Sequence, residues 1–127
     1  MTRDIADIRR DYEGGSLDEG QVPKDPFTMF DEWFALALDT DPQDANAMTL
    51  STVDSQGLPH ARVVLLKGFD QNGMVFYTNY HSHKGSELAN VPHAALTFWW
   101  PKLARQVRIE GRTEQVAEQE SDEYFAS

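Results

Sequence analysis

Arg62, Lys67 and Lys84, together with the hydroxyl of Ser82 and the amides of a helix opening near residue 83, are groups that a phosphate ester needs around it. Guanidinium and ammonium groups make charge-assisted hydrogen bonds, and the positive end of a helix adds to them. The background sharpens this. Lys and Arg total 11 against 21 Asp and Glu, a formal charge of −10. A surface of that sign repels nucleic acid and anionic membranes, so neither is expected as a partner unless the cations are gathered in one place. Spacing alone favours the plainer reading over a ligand site, because cations at strand ends are usually just a solvated face. Arg62 alternates in step with Val64 and Leu66, and a guanidinium on a covered face needs a carboxylate or a bound anion. Lys67 has the opposite parity. The two cations serve one site only if the strand bends or if its ends face neighbouring ligands.

Other chemistries find less support. His60, His81, His83 and His93 form no convincing metal set: the pair at 81 and 83 is two apart, with no carboxylate at helical spacing, so no metal is expected. Ser51, Ser82 and Ser86 lack a Gly-x-Ser-x-Gly elbow. No Gly-x-Gly-x-x-Gly and no phosphate-loop Lys motif occurs, which argues against Rossmann and nucleoside-triphosphatase folds. The chain has no cysteine, so thiolate metal sites and thiol redox chemistry are excluded, and any redox work needs a bound cofactor. Trp99-Trp100 could stack on a flat ligand, but at strand parity one of the two is expected in the core.

The elements that position these residues follow from periodicity. At 127 residues the chain is about one domain. Ile5, Ile8 and Tyr12 have helical spacing behind a Thr2 cap, Gly14-Gly15 stops that helix, and 16–24 reads as a loop. Asp25-Pro26 is a helix start, followed by the stripe Phe27, Phe30, Trp33, Phe34, Ala37 and Leu38. Strands are expected at 47–53, 60–67, 74–79, 94–100 and 105–112, with turns at 54–57 and 70–73. A short helix over 83–89 and an acidic helix over 114–125 complete the reading. Mainly antiparallel strands with flanking helices suggest a small barrel, since closure removes exposed edges. Val63-Val64-Leu65-Leu66 is apolar at both parities, so one face fills the barrel and the other needs a helix or a second copy. No apolar run approaches the roughly 20 residues of a membrane span, and the N-terminus lacks the apolar stretch of a signal peptide, so the expected location is the cytoplasm.

Read in order, a series of short strings resembles the pyridoxamine 5'-phosphate oxidases, FMN enzymes that make pyridoxal 5'-phosphate. The strings are Arg9-Arg10-Asp11-Tyr12, Asp25-Pro26, Arg62-Val63-Val64-Leu65-Leu66-Lys67, Gly73-Met74-Val75-Phe76-Tyr77-Thr78-Asn79, Ser82-His83-Lys84, Arg105-Gln106-Val107 and Tyr124-Phe125. The resemblance runs through nearly the whole chain. It implies an FMN-binding split β-barrel over 25–127, incomplete at its C-terminus, an N-terminal helix and loop (1–24) over the substrate site, and a homodimer.

Carried over position by position, the resemblance gives FMN contacts to Arg62, Val63, Val64, Leu65, Leu66, Lys67, Tyr77, Thr78, His83, Lys84 and Gln106. It gives substrate contacts to Arg9, Arg10, Asp11, Tyr12, Lys67 and Tyr124, with Lys67 and Tyr124 near the substrate phosphate. His83 stands where the family has Arg, which implies a weaker, pH-dependent contact. The family pattern continues beyond Ser127 with another phosphate-binding Arg and an Arg-x-His pair over the substrate, so the resemblance is to a C-terminally truncated member with catalytic residues unassigned. The implied reaction is oxidation of pyridoxamine or pyridoxine 5'-phosphate, with hydride passing from C4' to flavin N5 and oxygen reduced to hydrogen peroxide. The rival expectation is a flavin-binding module without that activity, or an inactive fragment.

Overall fold

The computed structural model describes residues 25–77, 83–115 and 123–126, the backbone alone at 83–85 and 123–126. The expected N-terminal helix and loop lie outside the described residues. Asp25 caps the first helix, α1 (Pro26–Thr40), its carboxylate accepting from the Phe27 amide at 3.0 Å. Pro26 takes the first turn, where its missing N–H has no helical partner to lose. Phe27, Phe30, Trp33, Phe34 and Ala37 pack on the barrel as the periodicity requires. Leu38, assigned to the same stripe, is exposed; it sits about 100° round the helix from the buried Ala37.

Among the described residues six strands follow: β1 (Ala47–Val53), β2 (Pro59–Asp70), β3 (Gly73–Tyr77), β4 (His93–Trp100), β5 (Arg105–Gln115) and β6 (Glu123–Ala126), with α2 (His83–Asn90) between β3 and β4. Every pairing is antiparallel, and the order β1-β2-β3-β6-β5-β4 closes a barrel. The β1–β2 turn is held by Asp54, whose Oδ1 accepts from the amides of Gln56 and Leu58, both at 2.9 Å. Gly57 turns the chain there at φ +85°, a left-handed conformation that favours glycine.

The end of the chain departs from the expected helix over 114–125. Glu114 and Gln115 extend β5, and 123–126 form a strand between β3 and β5, with Tyr124 opposite both Phe76 and Gln115. The helical reading has only acidic composition and the apolar Val116, Tyr124 and Phe125 to support it. A strand here satisfies the backbone of two neighbours that would otherwise be sheet edges, and that gain depends on residues far away in sequence.

Met48, Leu50 and Thr52 of β1, Val64 and Leu66 of β2, Met74 and Phe76 of β3, and Leu96, Phe98 and Trp100 of β4 are all buried. Phe30 closes one end, its ring 4.9 Å from Phe69 and 5.3 Å from Phe98 by centroid. Of the adjacent pair Trp99-Trp100, Trp100 is the core residue and donates from Nε1 to the Ala45 carbonyl at 2.9 Å. Trp99 is 50% exposed. The doubly apolar strand behaves as its sequence demands on one side. Val64 and Leu66 fill the barrel, while Val63 (68% exposed) and Leu65 stand on the outer face.

Candidate functional site

Arg62 lies on the inner row of β2 opposite Leu50, at the end of the barrel where β1 runs into the Asp54 turn. There it has found the carboxylate that its position demands. Its Nη1 donates to the Leu50 carbonyl at 3.3 Å and to Thr52 Oγ1 at 2.7 Å, and its Nη2 donates to Glu87 Oε2 at 3.3 Å. The Thr52 hydroxyl in turn donates to Glu87 Oε2. Glu87 projects from α2 and is only 3% exposed. His60 extends the group, its Nε2 lying 3.0 Å from Asp54 Oδ2 and 3.8 Å from Glu87 Oε1.

The electrostatics follow from these contacts. Burial pushes the Glu87 carboxyl up, but the Thr52 hydrogen bond, the His60 charge and Arg62 together outweigh it and hold the group below its ordinary range. Asp54 is held low chiefly by its hydrogen bond with His60, then by the Leu58 amide. Both carboxylates are therefore anions at neutral pH. Arg62 makes three N–H contacts among the described residues and is 23% exposed, so part of the guanidinium is open to a ligand.

Lys67 stands five residues along the same strand, about 16 Å at the ordinary strand rise. The pairing of β2 with β3 slips between Leu66 and Gly68, which puts Lys67 in a bulge. A bulge re-aims the side chain it carries. Lys67 is exposed, with its Nζ 5.7 Å from the Tyr77 ring centroid. Asn46 fixes the backbone just before it, accepting from the Leu66 amide at 2.8 Å and donating from Nδ2 to the Leu66 carbonyl at 3.3 Å. The bend that two cations of opposite parity require is thus present. At 16 Å they cannot grip one phosphate, but they can hold two anionic groups of neighbouring ligands.

Between them lies the outer face of the sheet. Val63 pairs with Thr49, Thr49 with Thr97, and Thr97 with Arg108, one row across four strands. Leu65 pairs with Ala47, and Trp99 with Gln106. Of the expected flavin contacts, Val63, Leu65, Lys67, Tyr77 and Gln106 are exposed. Val64 and Leu66 are buried and reach a ligand only through their backbone. His83 and Lys84 open α2, one turn ahead of Glu87. Tyr124 lies in β6 at the register of Phe76. Thr78 and the string Arg9, Arg10, Asp11 and Tyr12 lie outside the described residues. Thr52, Glu87, His60 and Asp54 were not singled out from the sequence as site residues. The parity of Arg62 signalled that a carboxylate was possible, but not which of the 21 acidic residues supplies it.

The comparisons with known proteins bear on the family and the fold. Residues 37–127 match the model of the family described as pyridoxamine 5'-phosphate oxidase. A pyridoxine/pyridoxamine 5'-phosphate oxidase of Chromohalobacter salexigens is 63% identical over the whole chain, which spans 59% of that relative's length. Among solved structures, PhzG of Burkholderia lata, in complex with tetrahydrophenazine-1-carboxylic acid, superposes with a TM-score of 0.75 at 28% identity, over 83% of this chain and 53% of that one. An FMN-binding, pyridoxamine 5'-phosphate oxidase-related protein of Nostoc punctiforme has a TM-score of 0.61 at 22% identity, over 82% of this chain and 50% of that one, and shares the split-barrel fold. With the family model spanning most of the chain and all of this chain matching part of a curated oxidase at 63% identity, this chain belongs to the pyridoxamine 5'-phosphate oxidase family.

Proposed function

We propose that this chain forms the flavin-binding part of an FMN-dependent oxidase of pyridoxamine or pyridoxine 5'-phosphate. The observation that carries the reading is the 63% identity over the whole of this chain with a curated oxidase, on a barrel whose β2 holds a partly open Arg62 toward one end and an exposed Lys67 toward the other, with the exposed Val63 and Leu65 between them. When bound, FMN would supply the redox chemistry, a hydride equivalent leaving the substrate and the electrons going on to oxygen to give hydrogen peroxide.

The residues fit that group. Arg62, with N–H groups to spare among the described residues, is the phosphate ligand, aided by His83 and Lys84 of α2. Val63 and Leu65 offer apolar surface to a flat ring, and the amide of Gln106 offers a donor and an acceptor. Thr78 and the backbone of Val64 and Leu66 complete the flavin contacts. Lys67, beside Tyr77 at the bulge, faces the second anion, the phosphate of the substrate, with Tyr124, Arg9, Arg10, Asp11 and Tyr12 as further substrate contacts. The protein's own work is orientation: two dianionic esters held at separated cations align the reacting carbon with the ring. The exposed Val63, Leu65 and Trp99 are the surface on which a second copy docks, and the proposal is of a homodimer. Among the described residues no helix is long and apolar enough to cross a membrane. The proposed location, the cytoplasm, rests on the sequence expectation alone.

The test is a titration of the purified chain with FMN and with riboflavin, which lacks the phosphate. Arg62→Ala or Lys84→Ala is expected to weaken FMN roughly ten- to a hundredfold and to spare riboflavin. Peroxide release with pyridoxamine 5'-phosphate is then measured, on this chain and on one extended to the relatives' length. FMN binding without peroxide from either chain supports the non-catalytic flavin module instead. Absence of FMN binding from both contradicts the flavin reading.

A further inference from the structure

A buried ion pair is weak evidence for stability, because desolvating two charges offsets most of their attraction. Glu87 and Arg62 therefore call for another explanation, and the geometry supplies one. The carboxylate does not meet the guanidinium alone. Arg62 donates to Thr52, Thr52 donates to Glu87 Oε2, and Arg62 donates to the same oxygen, a closed ring of three hydrogen bonds. The Leu50 carbonyl takes a further Nη1 hydrogen bond. Three N–H groups are thereby committed, two to β1 and one to α2, which fixes the plane of the guanidinium and leaves Nε–H and one Nη2–H with no hydrogen bond among the described residues. Thr52 is 1% exposed and Glu87 3%, so neither side chain is in reach of a ligand itself. Glu87 also ties β2 to the helix whose first turn carries His83 and Lys84, so one carboxylate sets the position of Arg62 relative to both.

We infer that Glu87 is a positioning residue for phosphate recognition: acting through Arg62, with Thr52 as the relay, it determines which N–H groups of the guanidinium face the ligand. The inference rests on the reading of Arg62 as a phosphate ligand, and the test separates the two. Glu87→Met removes the acceptor at nearly constant volume, while Glu87→Gln keeps an oxygen for Thr52 and Arg62. Both variants, with Arg62→Ala beside them, are titrated with FMN and riboflavin, and thermal unfolding confirms that each is folded.

The expected result is that Glu87→Met loses FMN affinity about tenfold or more, that riboflavin is held as before, and that Glu87→Gln recovers most of the loss. FMN binding by Glu87→Met as tight as the parent's, or tighter, while Arg62→Ala is weakened, overturns the positioning role and leaves the Arg62 reading standing. Equal losses for the two flavins overturn it as well, since they mark a role in folding. An Arg62→Ala variant with undiminished FMN affinity removes the phosphate reading and the inference with it. A crystal structure of Glu87→Met gives a check that needs no ligand. The guanidinium should leave the Leu50 carbonyl and Thr52 Oγ1, and a guanidinium that stays in place contradicts the proposal.

Discussion

The inner row of β1 joins two ends of the barrel that are built differently. Next to its start, Phe30, Phe34, Phe69, Phe98 and Trp100 meet at ring-centroid distances of 4.9 to 6.3 Å and tilted or edge-on angles, with one stacked pair. At its finish, Thr52 enters a knot of Arg62, Glu87, His60 and Asp54 in which each polar group depends on another. The aromatic end is held by non-directional contacts, many of them small, and losing one ring leaves the others in place. The polar end is held by directional bonds, and losing one partner strands a charge. Such an end adds little net stability but fixes geometry. That is the property a ligand site needs, and the proposed phosphate ligand Arg62 sits in that end.

Three changes test how far this contrast holds. The largest effect is expected from Phe30→Ala, which removes the ring shared by four of those aromatic contacts. It should lower unfolding free energy by about 3–5 kcal/mol in urea titrations, whatever the state of the polar end. A loss below about 1 kcal/mol means the aromatic end has repacked and is not the main support of the fold.

Next comes Arg62→Met, which leaves the Glu87 carboxylate buried beside Thr52 without its guanidinium partner. A cost of about 3 kcal/mol is expected, and the double change Arg62→Met with Glu87→Leu should recover most of it, because the pair as a whole contributes little. Additive losses in the double variant would show that the ion pair is itself a major source of stability.

The smallest effect is acid sensitivity. Asp54 and Glu87 ionise in the folded chain below their ordinary values of 3.8 and 4.5. A carboxylate depressed in this way contributes stability that is complete above its unfolded value and is lost as pH falls through its folded value. The urea midpoint should therefore drop as the pH is lowered from about 5 toward 3. Asp54→Asn should flatten part of that fall, whereas Phe30→Ala should lower the midpoint at every pH and leave the slope alone. An equal slope in the Asp54→Asn chain and the parent assigns the acid response to carboxylates elsewhere.

The same contrast explains what the sequence could reveal. The α1 stripe and the strands of the apolar core obey periods of 3.6 and 2, which one chain displays without its neighbours, and the Asp25-Pro26 and Asp54–Gly57 signals are local. The strand at 123–126 was not legible in this way, because its value lies in closing β3 against β5. At the polar end, parity showed that Arg62 needed an anion. That Glu87 supplies it depends on how α2 packs against β1 and reaches Arg62 of β2, and no spacing within the chain encodes that. The family resemblance named flavin contacts along all of 62–67, whereas the alternation of β2 divides them between the barrel interior and the outer face.

The most direct measurement for the account as a whole is a crystal structure of the chain grown with FMN. The account predicts the flavin phosphate accepting hydrogen bonds from Arg62, with the Arg62–Thr52–Glu87 ring intact behind it. It also predicts the flavin ring against the outer face that carries Val63, Leu65 and Gln106. A flavin whose phosphate makes no contact with Arg62, or one seated away from that face, contradicts it.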